Sequence, residues 1–223
     1  IDARTIPVIL SNASSALMSS QLFINQSYGF PINIFKRDSV ETGEGTMLIL
    51  GHSGEWTTMS RKYTDDIGLT DKPGRDFYNN RFYLNPTNTA DSVHTMILDN
   101  RFFLRLQPWS STAIVSKLEG GAGYELLSNY YFLPDFYTEG PSVNWKNNVY
   151  VYAGASGMLK RYFQWNATSR LDLAGYYAGD MFLDANARFS FYPLTSGIHL
   201  SGRFLFRSRT PGWSLQQYYS NHY

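Results

Sequence analysis

The chain has 223 residues, with 19 Lys and Arg against 18 Asp and Glu, a formal net charge of +1. That balance gives no case for a nucleic-acid partner, whose phosphates call for a basic surplus. Cysteine is absent, which excludes disulfides and thiolate metal sites, and no apolar run approaches the ~18 residues of a membrane helix.

Residues 1–19 show no clear period and read as an N-terminal tail or partial strand; 20–223 read as one array of strands. Candidate strands follow at 20–30, 46–58, 77–84, 92–106, 113–127, 147–159, 163–173, 183–191, 198–206 and 213–223, about ten in all. In 92–106, Phe102, Leu104 and Leu106 oppose Arg101 and Arg105. In 113–127, Ile114, Leu118, Ala122, Tyr124 and Leu126 take one face, and Lys117, Glu119 and Glu125 the other.

The clearest alternation is C-terminal. In 163–173, Phe163, Trp165, Ala167, Ser169, Leu171 and Leu173 alternate with Gln164, Asn166, Thr168, Arg170 and Asp172. In 183–191, Leu183, Ala185, Ala187, Phe189 and Phe191 alternate with Asp184, Asn186, Arg188 and Ser190. In 198–206, Ile198, Leu200, Gly202, Phe204 and Phe206 alternate with His199, Ser201 and Arg203. Successive strand side chains point to opposite faces, so each segment carries one apolar and one polar face. The segments exceed the ~5–6 residues of an average strand and reach the ~9–11 that a tilted strand needs to cross a bilayer.

Connections alternate in length. Those at 107–112, 160–162 and 193–196 are short; those at 128–146, 176–180 and 209–212 are longer or aromatic. Outer-membrane barrels have short periplasmic turns and longer outer loops, which puts 128–146 outside and 107–112 on the periplasmic side. The N-terminal third breaks this rule, and segment 59–75 there is long and of undecided side. Gly120, Gly121 and Gly123 inside a strand suggest a bulge or bend. The pattern predicts an all-β fold, a transmembrane antiparallel up-and-down β-barrel.

Several stretches resemble one family, the "putative porin" barrels of Bacteroidota outer membranes. They include Leu22-Phe23-Ile24-Asn25-Gln26-Ser27-Tyr28-Gly29, Gly51-His52-Ser53-Gly54-Glu55-Trp56 and Phe77-Tyr78-Asn79-Asn80. Asp99-Asn100-Arg101 and Gly120-Gly121-Ala122-Gly123-Tyr124 follow in the same order. The longest match joins Phe163-Gln164-Trp165-Asn166-Ala167 to Ala174-Gly175-Tyr176-Tyr177-Ala178-Gly179-Asp180, and Tyr218-Tyr219-Ser220-Asn221-His222-Tyr223 closes the set. The resemblance implies an outer-membrane barrel. Members of that family run beyond a segment like 213–223, which implies a fragment whose barrel is completed elsewhere.

The polar face supplies the candidate site. Arg101, Arg105, Lys117, Glu119, Arg170, Asp172, Asp184, Arg188, Arg203 and Arg207 are expected to line a lumen and set ion or solute preference. The bland alternative is that these charges pair across strands and fill a polar interior. Trp109, Tyr130, Tyr131, Tyr137, Trp145, Tyr150, Tyr162, Tyr176, Tyr177, Tyr192 and Trp213 cluster at expected strand ends, as an interface girdle more readily than a sugar-stacking surface. His199 and Ser201, two apart, with Asp184 or Asn186 alongside, form the single constellation resembling a catalyst. They lie on the polar face, where a lipid ester does not reach, so no enzyme activity is expected. His52, His94, His199 and His222 have no metal-ligand spacing, and Asp65, Asp66, Asp71 and Asp76 lack an ordered calcium-loop pattern.

The leading expectation is a porin-like barrel in a bacterial outer membrane, needing no cofactor and passing small solutes or ions by diffusion. Its expected partners are membrane lipid and other outer-membrane proteins. The competitors are a plugged structural scaffold within an outer-membrane complex and a soluble β-sandwich carbohydrate-binding module.

Overall fold

The computed structural model describes residues 12–32, 46–107, 114–131, 142–193, 197–216 and 220–222. Strands β1 (Ser14–Ile32), β2 (Thr46–Asp66), β3 (Asn88–Gln107), β4 (Lys117–Tyr131), β5 (Ser142–Leu159), β6 (Phe163–Gly175), β7 (Met181–Phe191) and β8 (Ile198–Ser208) form one sheet in chain order. Every neighbouring pair is antiparallel. Among the described residues β1 pairs only with β2 and β8 only with β7, so the sheet is open at both edges and the barrel incomplete. Two short helices, α1 (Lys72–Phe77) and α2 (Trp213–Gln216), stand outside it. No described helix is long and apolar enough to cross a membrane.

The register follows the alternation. Phe163 faces Phe189, Ala167 faces Ala185, and Ala185 faces Phe204, so apolar positions stay on one face across three strands. The glycines at 120, 121 and 123 sit in unbroken register and form no bulge. The irregularity falls instead between Val149 and Tyr150 on β5. The glycines serve close approach: a Cβ at Gly123 would run into the Tyr150 ring, and one at Gly121 into the Phe102 carbonyl and then the Tyr152 ring.

Eight of the expected strands exist and two do not. Segment 77–84 begins as the end of α1, and Asn79 and Asn80 adopt φ of 53° and 58°, which a strand does not allow. Asp71 caps that helix by accepting from the Gly74 amide at 3.2 Å. Segment 213–223 holds α2 and then buried, non-strand residues 220–222. The first strand begins at Ser14, inside the stretch read as tail or partial strand.

The segment 59–75 is also divided. Residues 59–66 continue β2, paired to β3 throughout and to β1 as far as Thr64. They looked like a loop because Thr58, Ser60, Lys62, Thr64 and Asp66 make the second face polar as well. The remainder belongs to the 67–87 connection, which antiparallel order places at the same end of the sheet as 132–141 and 176–180. The opposite end carries 160–162 and 192–197, and also 33–45, so the short-and-long pattern fails in the first hairpin.

After β8 the chain crosses the polar face at the 67–87 end. Thr210 donates its amide to Asp180, and the Trp213 ring stacks on Tyr131 with centroids 4.7 Å apart. Ser220 and Asn221 then bond to Asp91 at the start of β3, and His222 stacks on Tyr78 at 3.7 Å.

Candidate functional site

The register chain places all ten predicted residues on one face. Arg105 lies opposite Glu119, Arg101 opposite Gly123, Tyr150 opposite both Gly123 and Asp172, and Arg170 opposite Phe182. Phe182 in turn faces Arg207, and Asp184, Arg188 and Arg203 keep the same parity. Sheltered polar groups and exposed apolar ones divide between the faces. Asn148 and Asp172 on the polar face are 0% and 6% exposed, while Phe102 and Phe204 on the other are 66% and 58% exposed.

Most of these charges are paired. Arg105 and Lys117 both reach Glu119, at 2.7 and 3.0 Å. Arg203 grips Asp184 with two bonds of 2.9 and 2.7 Å, and Arg170 holds Asp172 at 3.0 and 2.6 Å. Arg101 lies 3.5 Å from Asp99. Among the described residues Arg188 and Arg207 have no ion pair, and Arg207 rests over the Phe182 ring. Charge pairing and lining of a lumen are therefore compatible here, since a paired guanidinium still presents free N–H groups.

The centre of the network contains Asn148, which sequence reasoning did not single out, and Tyr150, which it read as part of an interface girdle. Tyr150 lies across Gly123 and donates from its hydroxyl to Asp99 at 2.7 Å, joining β5 to β3 over β4. Asn148 donates to Glu125 at 3.0 Å and accepts from the Tyr177 amide at 2.8 Å. Arg170 reaches Glu125 at 3.7 Å and lies 3.6 Å over the Tyr150 ring. The available signal was the Gly-Ala-Gly run opposite two tyrosines on the next strand, a pairing visible only once register is known.

The aromatic set splits. Trp145, Tyr162 and Tyr192 are exposed at strand ends. Tyr150, Tyr131, Tyr177 and Trp213 are buried and belong to polar-face packing, not to a girdle. Trp109 and Tyr137 lie outside the described residues. Burial raises the Tyr177 phenol above its ordinary value, with Arg209 opposing. Burial also raises Tyr78, reinforced by its bonds to Tyr63 and Asp65.

The catalyst-like constellation is not assembled. His199 Nδ1 pairs with Ser190 Oγ at 2.9 Å, Ser201 faces Arg188, and Asp184 is engaged by Arg203. The described residues contain no His, Asp and Glu cluster able to hold a metal ion. Asp65 accepts from Tyr78 and Asp71 caps α1, so these acids are committed locally.

A single up-and-down sheet of long strands, apolar on one face and bearing an ion-pair network on the other, defines an incomplete β-barrel. The chain belongs to the family described as Putative porin, which it matches over residues 1–223. Membership supports a porin-like role and suggests an outer-membrane location. Comparison with curated proteins and with solved structures gives no match.

Proposed function

We propose that the apolar face meets the hydrocarbon of a bacterial outer membrane and the polar face lines an aqueous passage. The chain then forms part of a porin wall through which small solutes or ions diffuse, and it is not an enzyme. The observation that carries this reading is the inverted burial. Phe189 and Phe204 are 44% and 58% exposed with no second sheet over them among the described residues, whereas a β-sandwich would bury them. In hydrocarbon every backbone N–H and C=O needs a partner, so the open edges at β1 and β8 require further strands to close the barrel. The resemblance to Bacteroidota barrels supports that kind of cell as the host.

The test is conductance. Full-length protein in planar bilayers should give discrete steps, and a reconstituted, folded protein that gives none refutes the passage. A second reading, a plugged scaffold in a larger assembly, draws on the crossing segment at the 67–87 end, where Trp213 and 220–222 are buried. Conductance that appears only after that segment is removed would favour it.

A further inference from the structure

The turn between β5 and β6 spans residues 160–162. Lys160 takes φ of 49°, which sends the chain round tightly and leaves Lys160 and Arg161 side by side at its tip. Tyr162 closes the turn by donating its amide to Leu159 at 3.2 Å, and its carbonyl accepts from Ser190 at 2.7 Å. That second bond ties the turn to β7 and brings Tyr192 alongside. The Arg161 guanidinium lies 4.7 Å from the Tyr192 ring centre and 5.3 Å from that of Tyr162. One Arg161 N–H reaches the Tyr162 hydroxyl at 3.5 Å, and the other in-plane N–H groups of a guanidinium held over aromatic rings stay free for an oxyanion. Lys160 and Arg161 are both exposed, and neither has an ion pair among the described residues.

A second feature starts at the same place and lies on the apolar face. A furrow of about 810 Å³ is floored by the small residues Ala167, Ala185, Ala187 and Gly202 and walled by Trp165 and Phe204. A Cβ at Gly202 would project into open space. The Trp165 wall is fixed, because its indole N–H donates to the Ile114 carbonyl at 2.6 Å. Phe163, the residue after Tyr162, also lines the furrow, and it packs on Phe189 with centroids 4.6 Å apart. From Phe163 to Ala167 the furrow runs roughly 13 Å along β6.

We infer that the turn and the furrow together are a binding site for one anionic glycerophospholipid, with its phosphate on Lys160 and Arg161 and one acyl chain in the furrow. This rests on the bilayer reading of the apolar face. A plain interface residue would attract charge without shape; here Arg161, held over two rings beside Lys160, and a walled apolar channel meet at one corner. Phosphate sources with a larger, multiply acylated body, such as lipid A, exceed a single furrow.

Native mass spectrometry on detergent-solubilised full-length protein tests the site, with dioleoyl phosphatidylglycerol and dioleoyl phosphatidylcholine as probes. Phosphatidylglycerol should bind at least tenfold more tightly. K160Q/R161Q should bring it down to the phosphatidylcholine level, and A185F, which fills the furrow, should weaken both lipids. If the double variant does not fold, K160Q alone and R161K should each lose part of the preference. Equal binding of the two lipids, a preference that survives every turn substitution, or tighter binding of lipid A overturns the assignment. The assay involves no transport, so its failure leaves the conductance test untouched, and absent conductance does not excuse it.

Discussion

Which face meets lipid is decided by placing one arginine on either side of β6. Ala167 and Thr168 are neighbours in sequence, near the middle of the strand, on opposite faces. Ala167 lies opposite Ala185 on the apolar side, and Thr168 lies opposite Asp184 on the polar side. Removing alanine sacrifices almost no apolar area, so Ala167→Arg measures charge burial nearly alone. An arginine on the lipid face costs about 2–4 kcal/mol at the bilayer midplane, falling to about 0–1 kcal/mol near the interface. With 1.4 kcal/mol per factor of ten, the midplane range is about 30- to 700-fold in the folding equilibrium. Thr168→Arg gains an acidic neighbour and loses one hydroxyl without a hydrogen bond among the described residues, so a change within about 0.5 kcal/mol is expected. The assay is reversible urea unfolding of full-length protein in lipid vesicles, followed by tryptophan fluorescence. Equal costs, or a larger cost for Thr168→Arg, would refute the orientation and with it every statement about the passage.

Tyr150→Phe removes the hydroxyl that donates to Asp99 and should destabilise the barrel by about 1–2 kcal/mol in the same assay, given that Arg101 still faces that carboxylate. Asn221→Ala strips a buried side chain that accepts from the Leu84 and Asn85 amides and donates to Thr89. Each stranded group costs about 1–3 kcal/mol, so amide exchange at 84–85 should accelerate while the strands stay protected; unchanged exchange there would show that the crossing segment anchors elsewhere. Tyr78 stays protonated when solvent-exposed tyrosines ionise, because burial and then the bonds to Tyr63 and Asp65 disfavour its phenolate. An unfolded tyrosine ionises near pH ~10. The lock around His222 is therefore fully present below that pH and weakens as pH rises above it. A tyrosinate titration of wild type minus Tyr78→Phe should show no step near pH ~10, and such a step would disprove the burial argument.

The bare order of residues was enough to assign faces. The period of two is a local property, and Phe163 through Leu173, Leu183 through Phe191 and Ile198 through Phe206 carry it without reference to any neighbour. The same local signal put all ten charged candidates on one side. Three things needed tertiary structure. Residues 59–66 read as loop because polar side chains on both faces make alternation vanish while backbone pairing continues. Segments 77–84 and 213–223 read as strands because aromatics repeat in them, yet left-handed Asn79 and Asn80 and a buried Asn221 serve a contact between residues more than 130 positions apart. The Tyr150–Asp99 bond and the Lys160–Arg161 corner depend on which strand lies beside which. Register is a long-range pairing decision, and a one-residue slip would move every side chain to the other face.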